Sequence, residues 1–130
     1  MVRTPQEAHA RFVEHLNAGD LESLLALYEA GACLVPAPGQ PPVAGTQAIR
    51  QILQQFLAGK PVISIETQSV IEAGDIARLR GKWRLTGTGP DGRPIEMSGR
   101  SAEVVRRQPD GTWRYVIDHP WGANEADCGP

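Results

Sequence analysis

The chain has 130 residues, of which 41% are hydrophobic and 22% charged, and its formal net charge is −2. These totals describe one soluble globular domain, long enough to bury roughly two-thirds of its unfolded surface without a staple. They give no support to a nucleic-acid or anionic-membrane partner, and no apolar run approaches the ~20 residues of a bilayer span. The N-terminal MVRTPQEAHARF has no apolar secretory segment, so a cytoplasmic setting is expected. Cys33 lies in an apolar run and Cys128 in a polar tail, and a core of this size does not require them to bridge.

TPQE at 4–7 opens a first helix, with Thr4 as the cap, Pro5 at the first helical position and Glu7 placed for a capping box. Ala8, Phe12, Val13 and Leu16 recur at helical spacing. NAGD at 17–20 ends this helix through Gly19, and Asp20 caps a second one from Leu21 to about Glu29, with Leu21, Leu24, Leu25 and Tyr28 on one side. ACLV at 32–35 reads as a short strand. PAPGQPP at 36–42 is a loop, because four prolines remove the donors a strand needs. Thr46 is expected to cap a third helix, QAIRQILQQFLAG, which Gly59 and Pro61 end.

From Val62 the pattern switches to alternation and predicts four strands, at about 62–72, 75–88, 94–108 and 112–119. GPDGR at 89–93 and QPDGT at 108–112 each fit a type I turn with a glycine at the left-handed position. Counting from these turns sets Trp83 opposite Gly99, Gly81 opposite Ser101, Ser101 opposite His119, and Glu103 between Leu79 and Ile117. A one-residue slip would invert every face. The tail 122–130, GANEADCGP, reads as disordered, leaving a single domain over 1–121.

The odd residues Ala77, Leu79, Gly81, Trp83 and Leu85 make an apolar face that must meet the helices. Its continuation is Met97, Gly99, Ser101, Glu103 and Val105, then Trp113, Tyr115, Ile117 and His119. Glu103 is anomalous there, because a buried carboxylate needs a partner or must titrate. Asp118 alternates with His119 and is expected on the outer face. The even residues Arg78, Arg80, Lys82 and Arg84, with Arg100, Arg106 and Arg114, make that outer face basic. Three readings of it stay open: a solvated face, a dimer interface, or a nucleic-acid surface, the last weakened by the absence of outward aromatics for stacking.

Four segments in this order, FVEHLNAGDLESLLALYEAGACLV (12–35), GTQAIRQIL (45–53), GDIARLRGKWRLTG (74–87) and DGTWRYVIDH (110–119), resemble the nuclear transport factor 2-like superfamily, also called SnoaL-like or ketosteroid-isomerase-like. The likeness is nearest to small bacterial members of the YybH-like and SgcJ type. It implies an α+β, cystatin-like cone in which three helices pack on a strongly curved antiparallel sheet with a pocket between. It also implies homodimers through the outer sheet face (Arg78, Arg80, Lys82, Arg84, Arg100), and activities from isomerase, cyclase and dehydratase to none. Of the ketosteroid isomerase machinery, the oxyanion tyrosine falls on Phe12 and the general base on Pro36, while the protonated carboxyl falls on Glu103.

The candidate site is therefore His119 and Glu103 as acid–base groups, in a substrate pocket of Phe12, Tyr28, Trp83, Met97, Ser101, Trp113 and Tyr115. His9, His15 and His119 show no metal-ligand spacing, GTGPDGR precedes no helix and is no phosphate loop, and no cofactor pattern is present. Three functions stay open: an enzyme of small hydrophobic metabolites, a non-catalytic ligand-binding protein, and a dimeric association module.

Overall fold

The computed structural model describes residues 1–124. A short 3-10 turn at Pro5–Glu7 leads into α1 (Ala8–Asn17), followed by α2 (Leu21–Leu25), β1 (Tyr28–Leu34), β2 (Val43–Ala44), α3 (Thr46–Ala58), β3 (Val62–Ala73), β4 (Ile76–Thr88), β5 (Pro94–Arg107) and β6 (Trp113–His119). The six strands form one sheet in the order β2-β1-β6-β5-β4-β3. All pairs are antiparallel except β1–β6. Three helices thus pack on one face of a curved, mostly antiparallel sheet, the expected α+β cone. Among the described residues no helix is long and apolar enough to cross a membrane.

Local chemistry accounts for most of these elements. Gly19 turns left-handed at φ 68°, and Asp20 caps α2 by accepting from the Ser23 N–H at 3.1 Å and the Ser23 hydroxyl at 2.7 Å. Asn17 seats α1 on the sheet edge, accepting from the Ile63 N–H at 2.8 Å and donating to the Ile63 carbonyl at 3.1 Å. Leu16, Leu24, Ile49 and Leu53 are buried against Ala77, Leu79 and Val105 of the sheet. Burial of these apolar side chains, at roughly 1.5–3 kcal/mol each, is the main term holding the helices down.

Three expectations about the helices need correction. The second helix stops at Leu25 rather than near Glu29, and Tyr28 begins β1. The Leu27 carbonyl accepts from the Tyr115 N–H at 2.7 Å, so pairing with β6 overrides the helical spacing there. Gly45, at φ 93°, stands at the N-cap of α3, and Thr46 is its first residue. Thr4 makes no side-chain bond to the backbone; its hydroxyl donates to the Glu7 carboxylate at 3.3 Å.

Both predicted hairpin turns form. Gly89 N–H donates to the Arg93 carbonyl and Gln108 N–H to the Thr112 carbonyl, each at 2.7 Å, with Gly92 and Gly111 at φ 81° and 84°. The β4–β5 pairing is regular throughout and places Trp83 opposite Gly99 and Gly81 opposite Ser101, as counted. The β5–β6 pairing is not. Val105 pairs Tyr115 and Val104 pairs Ile117, so Val116 is an extra residue, a β-bulge. Beyond it every face inverts: Glu103 pairs Asp118, and His119 pairs Ala102 instead of Ser101. A second bulge leaves Gln68 unpaired in β3, between Thr67–Gly81 and Ser69–Arg80.

The outer face carries the basic row as read from sequence. Arg78, Lys82, Arg84 and Arg100 are exposed and Arg80 is half-buried. Some of this charge is paired, Arg84 with Glu96 at 2.5 Å and Arg106 with Glu29 at 3.3 Å. The bulge adds Ile117 to this face, in one cross-strand row with Ile71, Arg78 and Val104. Gly122, Ala123 and Asn124, expected in the disordered tail, dock on β5: Ala123 N–H donates to the Arg100 carbonyl at 2.9 Å, and Asn124 Oδ1 accepts from the Arg100 N–H at 2.8 Å. The remainder of that tail, with Cys128 and any bridge to Cys33, lies outside the described residues.

Candidate functional site

Between the helices and the inner sheet face lies a cavity of about 60 Å³. Its wall is aromatic and aliphatic, with Phe12 from α1, Phe56 from α3, Trp83 from β4, Met97 from β5, and Trp121 from the turn after β6. Its polar residues are Ser101, Glu103, Tyr115 and Asp118. Where the sheet is bare, the surrounding side chains close directly onto it. A Cβ on Gly81 would stand 2.9 Å from the His9 ring and from Ile65, and one on Gly99 would stand 2.9 Å from Trp121. Trp83 and Trp121 meet edge to face at 5.7 Å, and the Trp83 indole N–H donates to the Pro120 carbonyl at 2.6 Å, fixing that turn over one end of the cavity.

The polar floor is two hydrogen-bonded groups, side by side, drawn from five elements. The His9 ring, on α1, lies with Nδ1 2.7 Å from Thr67 Oγ1 of β3 and Nε2 2.9 Å from Glu103 Oε1 of β5. Glu103 faces its cross-strand neighbour Asp118 of β6. The Tyr28 hydroxyl, from β1, donates to Asp118 Oδ2 at 2.5 Å. His9, Glu103, Tyr28 and Asp118 are all buried. Each carboxyl therefore has one oxygen held by a named donor. Among the described residues the other oxygen of each, and the Tyr115 hydroxyl, have no hydrogen-bond partner, and all three side chains border the cavity.

Burial and the charge of Glu103 push the Asp118 carboxyl up from its ordinary value to about 7, against the smaller opposing effects of the Tyr28 hydrogen bond and His9. Tyr28 is raised well above the ordinary tyrosine value by burial and then by Asp118. Tyr115 is raised well above it by burial, then by Glu103 and Asp118. Both phenols hence stay protonated; Tyr28 donates to Asp118, and Tyr115 keeps a hydroxyl with a proton to donate. Among the described residues no three His, Cys, Asp or Glu side chains converge as metal ligands.

Of the residues expected here, Phe12, Trp83, Met97, Ser101, Glu103 and Tyr115 border the cavity. Three do not. Tyr28 stands behind Asp118 as its donor. Trp113 is buried beside the N-terminal segment, its backbone N–H donating to the Val2 carbonyl at 2.9 Å, with the Arg107 guanidinium 6.0 Å from its ring. His119 is turned away by the Val116 bulge and packs on the backbone of Gly122. Asp118, assigned to the outer face by simple alternation, takes the inward place instead.

His9, Asp118 and Trp121 stand at the site although they are outside the set expected there. His9 had a legible signal, since 9, 12, 13 and 16 share one helical face and a histidine among Phe12, Val13 and Leu16 is bound for the interior. Asp118 had none. Hydrophobic burial alone would place Ile117 inward and Asp118 in solvent; the structure leaves Ile117 43% exposed and Asp118 6% exposed. A choice that buries a carboxyl at the expense of an isoleucine violates the folding pattern where a functional site is expected to.

The sequence profile of the SnoaL-like domain family matches residues 9–116. No curated protein matches the chain. Solved structures similar to it include a ketosteroid isomerase-like protein from Erwinia carotovora atroseptica (18% identity, TM-score 0.76, covering 87% of this chain and 88% of that one). A member of the nuclear transport factor 2-like family from Streptomyces avermitilis is similar at 21% identity and TM-score 0.73, covering 88% and 90% of the two chains. A nuclear transport factor 2-like superfamily protein from Salmonella enterica serovar Typhimurium is similar at 18% identity and TM-score 0.75, covering 87% and 84%. Identities this low carry the fold and nothing finer. With the family profile spanning most of the chain and the cone fold built around its cavity, the protein belongs to the SnoaL-like domain family.

Proposed function

We propose that this SnoaL-like protein is a homodimer that binds a small, largely hydrophobic molecule in the cavity and performs acid–base chemistry of the isomerase, cyclase or dehydratase type on it. The observation that carries this reading is the Glu103–Asp118 pair, two buried carboxyls side by side on the cavity floor, each with one oxygen free. Two interacting carboxyls in different environments divide into a proton donor and a proton acceptor. With its carboxyl near 7, Asp118 is poised to take a proton from one atom of a bound molecule and return it at another, which needs no co-reactant. Tyr115 supplies a hydroxyl for charge that develops on a ligand oxygen. His9 and Tyr28 are positioning residues, acting through Glu103 and Asp118. The arrangement is not that of the steroid isomerases, because Phe12 and Pro36 carry neither the hydroxyl nor the carboxylate, and about 60 Å³ is far short of a steroid.

Dimerisation is supported by the outer face, where Ile71 and Ile117 are 55% and 43% exposed beside the arginine row. A dimer there would bury these side chains and bring carboxylates of the second copy to Arg78, Lys82, Arg84 and Arg100.

Deuterium exchange tests the chemistry. In heavy water, small cyclic ketones such as cyclohexanone should exchange their α-hydrogens faster with protein than with buffer, with a rate that rises through pH 7. The Asp118→Asn variant should abolish the gain while tryptophan fluorescence still reports binding. Binding without exchange in the native protein would reduce the reading to the non-catalytic alternative, ligand binding alone.

A further inference from the structure

The chain contains three Trp, two Tyr and two Phe. Five of these seven, Phe12, Phe56, Trp83, Tyr115 and Trp121, border the one cavity that also holds Glu103 and Asp118. No lysine or arginine borders it, although the chain has 13. Aromatic faces attract cations through the ring quadrupole, and a desolvated site strengthens that attraction. The carboxyl oxygens left without partners stand on the floor of the same space. A neutral apolar ligand would use the walls but leave the second oxygen of each acid without a partner. An anion would meet them in repulsion.

From this geometry we infer that the cavity's ligand carries a positively charged nitrogen: a small alkylammonium or quaternary ammonium group, seated among Trp83, Trp121, Tyr115 and the two carboxyls. The inference rests on the reading of the cavity as a ligand site and narrows its hydrophobic ligand to an organic cation. It also links binding to proton release. The groups facing Asp118 are Glu103 from β5, Tyr28 from β1, Tyr115 from its own strand, and His9 from α1. Burial and, after it, the charge of Glu103 hold Asp118 protonated near neutrality; a cation placed between the acids offsets both by attracting the ionised carboxylate, so the carboxyl ionises as the cation enters. Binding strengthens as pH rises through about 7.

The experiment pairs choline with 3,3-dimethylbutan-1-ol, the same shape with carbon in place of the charged nitrogen, on the full chain. Tryptophan fluorescence gives the affinities, and calorimetry in two buffers of different ionisation enthalpy gives the protons released. Choline should bind about tenfold more tightly than the alcohol at pH 8. Its Kd should rise about tenfold on going to pH 6, with proton release near pH 7, while the alcohol's stays flat. Asp118→Asn should remove the pH dependence, and Glu103→Gln should weaken choline selectively. If Asp118→Asn does not fold, the pH profile of the native protein and Glu103→Gln decide. Equal affinities, or binding of the alcohol alone, would overturn the inference and leave the ligand site standing. Binding of neither would remove both readings.

Discussion

GPDGR and QPDGT close two hairpins on either side of β5 with the same bonds, a 2.7 Å link across each turn and a glycine near φ 80°. Beyond the turns they part. The β4–β5 hairpin holds one register from Thr88–Pro94 to Ile76–Arg106. The β5–β6 hairpin takes in Val116 and emerges inverted. The difference lies in the outer neighbours. On its other edge β4 meets an antiparallel strand, whose own bulge at Gln68 falls on β3 and leaves β4 straight. On its other edge β6 meets the parallel β1, whose register shifts between Tyr28 and Cys33, at the level of Val116. Gly31 lies within that shift at φ 83°. A turn fixes pairing near itself, whereas the face shown at the far end of a strand depends on both neighbours and on what must be buried.

The strand common to both hairpins offers the largest test. Glu103→Ala leaves His9 buried against an empty place, and breaking a buried pair of this kind costs about 3–5 kcal/mol. Urea unfolding should show that loss, and a change below about 1 kcal/mol would mean that the His9 bond contributes nothing to the seat of α1.

Next in size is the pH dependence that the bulge creates by turning Asp118 inward. Its carboxyl is raised from 3.8 to about 7 in the folded state, so the folded chain holds that proton more tightly than the unfolded one. The associated stability is fully present below 3.8 and is lost as pH rises through about 7. Thermal midpoints of the native protein should fall between pH 5 and pH 8. Asp118→Asn keeps an acceptor for Tyr28 and cannot titrate, so its profile over that window should be flatter, and parallel profiles would refute an inward Asp118. Asp20, Glu22 and Asp110 are held below their ordinary values by Ser23, Arg50 and Thr112 and act in the opposite sense, at more acidic pH.

The smallest effect sharpens the comparison most directly. His119→Ala touches a half-buried ring packed on the Gly122 backbone, and should change stability by under about 1 kcal/mol and leave cavity binding unaltered. In an unbulged hairpin this histidine would occupy the floor beside Ser101, and its loss would abolish binding. Fluorescence titration of the variant separates the two.

The legible and illegible parts of the fold divide along the same line. Strand positions, both turns and the apolar face of β4 followed from alternation and from Pro-Asp-Gly chemistry, which are local. The cavity residues on α1, β4 and β5, Phe12, Trp83, Met97 and Glu103, followed from those faces. Tyr28 departs from its expected place because Leu21, Leu24, Leu25 and Tyr28 keep helical spacing, and only pairing with β6 draws Tyr28 into a strand. Asp118 and His119 exchanged places through one inserted residue, for which neighbouring residues hold no marker. The place of Trp121 is not legible in the sequence because it depends on the Pro120 carbonyl meeting Trp83, a contact between distant parts of the chain.

His9 lies 94 residues before Glu103, and Asp118 lies in the last strand of the sheet. The floor of the hollow is thus assembled from the first helix and the last two strands in chain order. During synthesis the opening helix waits for its acidic partner until β5 has emerged, and the second acid arrives only with β6. A chain still lacking β5 and β6 could fold its helices and leave the floor unbuilt, so the hollow is a late product of folding.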